Sequence, residues 1–259
     1  MRRALIPLAT AVVIGTNAAA VLLPLNGRST GELSALYPTG FTPAGWVFSI
    51  WSLIYLGLIA FSIRTVALGG RTGGGARARS ASRLRGIEWP YIVSCAANVG
   101  WILLWHDQRV GASVLAMLVL LASLVVIHAR LRRQPAGPVL DKLAVDGTFS
   151  LYLGWITTAM LANLGTWFHA IGRYPFGITM DQWALVTVVL ATAIYVAVGT
   201  WTFDPVFTAV FVWAALGIVD RSAGITDPVR LAAAAGGAAV AVVTLIIVAR
   251  RLSGAWVRA

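Results

Sequence analysis

The sequence predicts an all-α integral membrane protein with about eight transmembrane helices. Apolar runs recur along the 259 residues, each long enough for the roughly 30 Å of a bilayer's hydrocarbon. Charged residues make up 11% of the chain and hydrophobic ones 59%, whereas a soluble domain carries about 25% charged residues. The basic residues alternate between loops as the positive-inside rule requires. A large soluble core would not need so many apolar runs joined by such short connections.

The runs lie at about 4–25, 44–68, 87–106, 110–131, 144–171, 182–202, 204–220 and 229–250. The first, with Met1-Arg2-Arg3 before it and Ala18-Ala19-Ala20 within it, has features of a cleavable signal peptide. It continues through Leu25, however, and Asn17 interrupts it where a signal sequence is uniformly apolar, so it reads as a retained span. Residues 26–43, with Gly31, Tyr37, Pro38, Gly40, Phe41 and Pro43, form the longest outside loop; partly apolar and constrained, it reads as a lid. Residues 69–86 are Gly- and Arg-rich and are expected to lack fixed structure along the inner leaflet. Gln134-Pro135-Ala136-Gly137-Pro138 turns inside, Tyr174-Pro175-Phe176-Gly177 outside. Asp204-Pro205 separates the sixth and seventh spans, and Asp227-Pro228 opens the eighth, where Gly236 and Gly237 suit close helix packing.

Placing both termini in the cytoplasm leaves only Arg28, Arg109, Arg173, Arg221 and Arg230 outside, of 20 basic residues. An odd number of spans would put either Arg2 and Arg3 or Arg250, Arg251 and Arg258 on the wrong side. This distribution accounts for the formal charge of +11 without nucleic acid, and it predicts a multi-pass protein of the plasma membrane. Every basic residue except Lys142 is arginine, a coding bias that points to a GC-rich bacterial genome. The lone Cys95 can form no disulfide within the chain.

The candidate site follows from asparagines that lipid cannot satisfy. Lipid tails offer an amide no partner, so a mid-membrane Asn faces protein, water or a ligand. Asn98 and Trp101, three apart, are neighbours on the third span, and Trp105 continues their stripe. On the fifth, with Tyr152 at zero, Asn163 falls at about 20°, Trp167 at about 60° and Trp155 at about −60°. Asn98 lies about 12 Å below the outer end of its span, and Asn163 lies at a similar depth. Trp46, Trp51 and Asn17 also fall in the outer halves of their spans. These features point to a pocket beneath loop 26–43; the competing reading is an aromatic belt with asparagines bonding helix to helix.

These residues also carry a family resemblance. The stretch Pro38-Thr39-Gly40-Phe41-Thr42-Pro43-Ala44-Gly45-Trp46-Val47-Phe48 is followed by Trp51 and Tyr55, then by Asn98 and Trp101. Tyr152, Leu153, Trp155, Asn163 and Trp167 follow with every interval kept. The chain resembles the tryptophan-rich sensory protein (TspO/MBR) family, the translocator or peripheral-type benzodiazepine receptor proteins. Phe41 stands where the family has Trp, Ala44 where it has Pro, and the interval from Trp46 to Trp51 is one residue shorter. The resemblance covers about residues 5–170. It implies a five-helix bundle over 1–172 with the lid loop 26–43; the apolar runs add three further helices and a basic tail over 173–259, for which the five-span members have no counterpart. As function it implies binding of flat apolar molecules such as porphyrins or sterol- and isoprenoid-like lipids. Trp46, Trp51, Trp101, Trp155 and Trp167 would supply stacking faces, Asn98 and Asn163 would orient a polar edge, and Tyr55 and Tyr152 could do either.

No catalytic or metal-binding constellation is evident, and no cofactor is expected. His106, His128 and His169 are scattered and read as interfacial polar residues. Glu88 and Asp146, near inner helix ends, suit salt bridges to loop arginines better than acid–base work. The leading reading is a binding, sensory or carrier protein whose partners are the bilayer and a hydrophobic small molecule. The alternatives are a secondary transporter, disfavoured by the lack of mid-membrane ionisable residues, and a membrane enzyme modifying a tetrapyrrole or isoprenoid. Spans six to eight could wall off the bundle or build a homodimer surface.

Overall fold

The computed structural model describes residues 2–23, 25–28, 30–37, 39–69, 75–135, 137–221 and 224–253. Arg71 and Arg258, both assigned inside by the charge pattern, and Pro38, the first residue of the loop motif, lie outside them. The helices are α1 (Arg2–Leu22), α2 (Thr30–Ala35), α3 (Ile50–Leu68), α4 (Ala76–Arg85), α5 (Glu88–His106), α6 (Val110–Arg132), α7 (Val139–Asp141), α8 (Thr148–Ala170), α9 (Met180–Thr202), α10 (Pro205–Val219) and α11 (Asp227–Leu252). No strand occurs among the described residues.

Each of the eight predicted runs contains a helix, from the 15 residues of α10 to the 26 of α11. Five of them are individually long and apolar enough to cross a bilayer, and α4 with α5 makes a sixth if that pair, bent by 45°, counts as one span. The apolar helix α10 is shorter. Between 28% and 44% of residues in the five spans are buried, and leucines such as Leu8, Leu53, Leu115 and Leu245 stand exposed. An apolar exterior around buried polar groups is the arrangement that lipid as solvent favours.

The chain divides into two compact units, Met1–Leu33 with Ser49–Ile156 and Ser34–Phe48 with Thr157–Ala259, so the division falls inside α8. In the first, α5 packs on α6 and α1, and α1 on α3. Its core includes Phe61, Tyr91 and Phe149, whose rings meet edge-on at 4.8–5.9 Å, and Tyr91 bonds Thr10 at 2.6 Å. The signal-peptide features notwithstanding, α1 is an integral wall of this bundle. A π-helical turn, Lys142–Gly147, leads into α8.

One local expectation changes in this unit. The Gly- and Arg-rich segment contains α4 rather than an unstructured tether. Ser80, Ala81, Arg83 and Leu84 are buried; Ser80 bonds Asp141, and Arg83 pairs with Asp146 at 2.6 Å. Ala, Arg and Leu, strong helix formers, fill eight of the ten positions of α4, and these tertiary anchors hold it against the bundle. His106, the last residue of α5, is buried within the protein. Its Nδ1 donates to the Leu25 carbonyl at 3.2 Å, and its Nε2 bonds Thr30 Oγ1 at 3.0 Å. Asn26 donates to the His106 carbonyl at 2.9 Å, so the start of the long loop is clamped to the end of α5.

In the second unit α11 packs on α10 and α9. Thr179 and Gln182 form a reciprocal capping box at the start of α9. Asp204 accepts from the Val206 and Phe207 amides, and Pro205 occupies the first helical turn of α10. Small residues permit the close approach foreseen at Gly236 and Gly237: a Cβ on Gly236 would lie 2.3 Å from Thr192 Oγ1, and one on Gly237 2.8 Å from the Ala215 Cβ. Arg221 bonds the Thr39 and Thr42 carbonyls, and burial lowers its guanidinium pKa.

Candidate functional site

The buried amides of the first unit form one hydrogen-bonded chain through three helices. Asn17 on α1 donates to Asn98 Oδ1 on α5 at 2.7 Å, and to the Val13 carbonyl at 2.9 Å. Asn98 donates in turn to the Tyr152 hydroxyl on α8 at 2.9 Å. Asn98 and Tyr152 are fully enclosed. The asparagines thus bond helix to helix, as the competing sequence reading held, and in doing so they fix the aromatic residues one turn away.

Those aromatics form a row. Trp51 stacks on Tyr55 with centroids 5.6 Å apart and planes 22° from parallel. On its other neighbour, Trp101, the values are 6.0 Å and 22°, and Trp101 continues to Trp105 at 6.4 Å and 24°. Such separations are those of offset rings. Tyr152 and Trp155 present edges to Trp51 at 6.0 and 6.2 Å. Trp51 and Tyr55 remain half-buried, so the row is not sealed at that end.

Trp101 is 7% exposed, and its Nε1–H has no hydrogen-bond partner among the described residues. A buried indole usually finds an acceptor. The donor adjoins the Asn98 chain in sequence and lies within the aromatic row.

The remaining predicted residues belong to the second unit. Trp46 donates Nε1–H to Asp220 at 2.8 Å and meets Trp213 edge-on at 4.6 Å. Asn163 is buried on the later part of α8, and Trp167 stacks on Phe168 at 5.3 Å. The residues that meet in the first unit are therefore Trp51, Tyr55, Asn98, Trp101, Tyr152 and Trp155.

Sequence reasoning underused Asn17, whose depth match with Asn98 was the available signal. It missed Asp141, which is buried and holds both Arg64, at 2.6 Å, and Ser80; nothing local marks that role. Among the described residues no three His, Cys, Asp or Glu side chains converge as metal ligands. The arrangement offers stacking surface and one buried donor.

The profile of the TSPO-like protein family matches residues 3–248. The match runs well past residue 170, where the motif resemblance stops, and takes in α9, α10 and most of α11. No curated protein and no solved structure gave a match. The helical architecture, the apolar exterior and this match together make the protein a multi-pass membrane protein. A match over nearly the whole length settles the family: the chain belongs to the TSPO-like proteins.

Proposed function

We propose that this protein binds flat, apolar molecules with a polar edge, of the porphyrin or sterol- and isoprenoid-like kind, and senses or carries them in a bacterial plasma membrane. The observation that carries this reading is the row Tyr55–Trp51–Trp101–Trp105, nearly parallel and punctuated by an unpartnered buried N–H. Parallel rings offer a planar ligand extended stacking area, and the Trp101 donor offers its polar edge one anchor. In this reading Asn98 and Tyr152 hold the wall in place.

The family pattern also assigns Trp46, Asn163 and Trp167 to ligand binding. The same reading keeps both termini in the cytoplasm, residues 1–172 as the ligand-binding bundle, and 173–259 as additional helices able to supply a homodimer surface. Tryptophan fluorescence of the purified protein in detergent, titrated with a porphyrin, tests it. Saturable quenching that is lost on Trp101→Ala and Asn163→Leu is expected; the same saturation curve in both variants overturns the proposal.

A further inference from the structure

At one end of the first unit, α3 finishes at Leu68, α5 begins at Glu88 and α6 finishes at Arg132. There a cavity of about 530 Å³ opens between α4 and the turn before α7, lined by Arg79, Ser82, Arg83, Gln134 and Gly137 among others. This volume is in the range of small-molecule sites. We propose that this cavity binds a phosphate group, carried by an anionic phospholipid headgroup or by a soluble phosphate compound.

The donors are suited to an anion. Arg83 is 5% exposed, and its two terminal nitrogens are committed to Asp146 and to the Leu131 carbonyl. Its Nε–H is buried without a partner among the described residues, a third donor on a side chain that lines the cavity. Arg79 lies one turn earlier on the same helical face; it is exposed, and no acid faces it among the described ion pairs. Asp146 already balances the charge of Arg83, which leaves Arg79 as the cavity's uncompensated guanidinium. Guanidinium geometry matches phosphate oxygens, and Ser82 and Gln134 add neutral donors.

Two of the acids at this end, Asp141 and Asp146, are already engaged. Asp141 is held by Arg64 and Ser80, and Asp146 by Arg83. Helix α4 has no acidic residue in its ten positions. Its place at the level of helix ends is also where the headgroups of a bilayer stand, which makes a lipid phosphate as accessible as a soluble one.

The test uses the full chain in neutral detergent, with short-chain phosphatidylglycerol and inorganic phosphate as probes in calorimetric titrations. Saturable binding of phosphatidylglycerol, weakened at least fivefold by Arg79→Gln and less than twofold by Arg77→Gln, is expected. Arg79→Gln is the decisive variant, because Arg83→Gln also removes a structural ion pair. Competition by inorganic phosphate assigns the site to soluble phosphates, and its absence assigns it to lipid headgroups. Equal losses in Arg77→Gln and Arg79→Gln, equal binding of short-chain phosphatidylcholine, or no saturable binding of either probe overturns the proposal. Porphyrin quenching is expected to be unchanged in Arg79→Gln.

Discussion

Asn17 and Asn98 lie 81 positions apart in the chain and share a buried hydrogen bond of 2.7 Å. The bond ties the first helix to the third long one at a depth where lipid would satisfy neither amide. Through Asn98 it continues to Tyr152, so a short polar chain fastens the helices that carry the aromatic row.

Removing the central amide therefore costs stability. Asn98→Leu is expected to lower unfolding free energy by about 1–2 kcal/mol, the range for membrane-buried hydrogen bonds that lose a partner. Unfolding midpoints in detergent measure it, and a cycle with Asn17→Ala isolates the pair. A coupling of zero contradicts the shared bond.

Close helix approach gives a second expectation. A Cβ on Gly57 would meet Thr148 Oγ1 at 2.7 Å and its Cβ at 3.1 Å, while one on Gly100 meets nothing within 4 Å. Gly57→Ala should destabilise by about 1–3 kcal/mol through overpacking against a stiff β-branched side chain. Gly100→Ala should be neutral or stabilising by up to about 1 kcal/mol from helix propensity. Equal thermal midpoints for the two variants would refute this contrast.

Asp141 is the acid on which α4 depends. It is almost wholly buried and bonds Arg64 and Ser80. Asp141→Ala leaves Arg64 without its acid, at an expected cost of about 3–5 kcal/mol. Trypsin should then cut at Arg77, Arg79, Arg83 or Arg85 faster than in the parent protein. Unchanged digestion would show that α4 is held by other contacts.

Much of this architecture was legible because its signals are local. The eight apolar runs needed only length and hydropathy; Asp204 marks the start of α10 by capping it ahead of Pro205, and Pro228 marks the start of α11 by its place in the first turn. The helical angle placed Tyr152 and Trp155 on one side of α8, and the interval between Asn98 and Trp101 made them neighbours. What escaped depends on distant partners. Helix α4 looks like a flexible linker until Asp141, 61 positions beyond Ser80, is brought to it. Trp46 finds Asp220 across 174 positions, a pairing no spacing rule anticipates. The angular argument groups Asn163 and Trp167 with Tyr152 along α8 (Thr148–Ala170).

The unpartnered indole separates binding from folding. Replacing the Trp101 indole by the isosteric benzothiophene of 3-benzothienylalanine keeps the bicyclic ring in the row and removes only Nε1–H, which bonds nothing among the described residues. The unfolding midpoint should stay within about 0.5 kcal/mol of the parent, whereas porphyrin affinity should fall by roughly 2–10-fold, the worth of one hydrogen bond. A large stability loss with unchanged affinity would assign this N–H to the fold instead.

The most direct test of the binding site is the porphyrin dissociation constant of Trp51→Leu, since Trp51 meets Tyr55, Trp101, Tyr152 and Trp155. Absorbance titration keeps the readout independent of the deleted fluorophore. Affinity at least tenfold weaker, in a variant that still elutes as a folded species, is the predicted result. An unchanged dissociation constant would contradict the aromatic row as the ligand's seat.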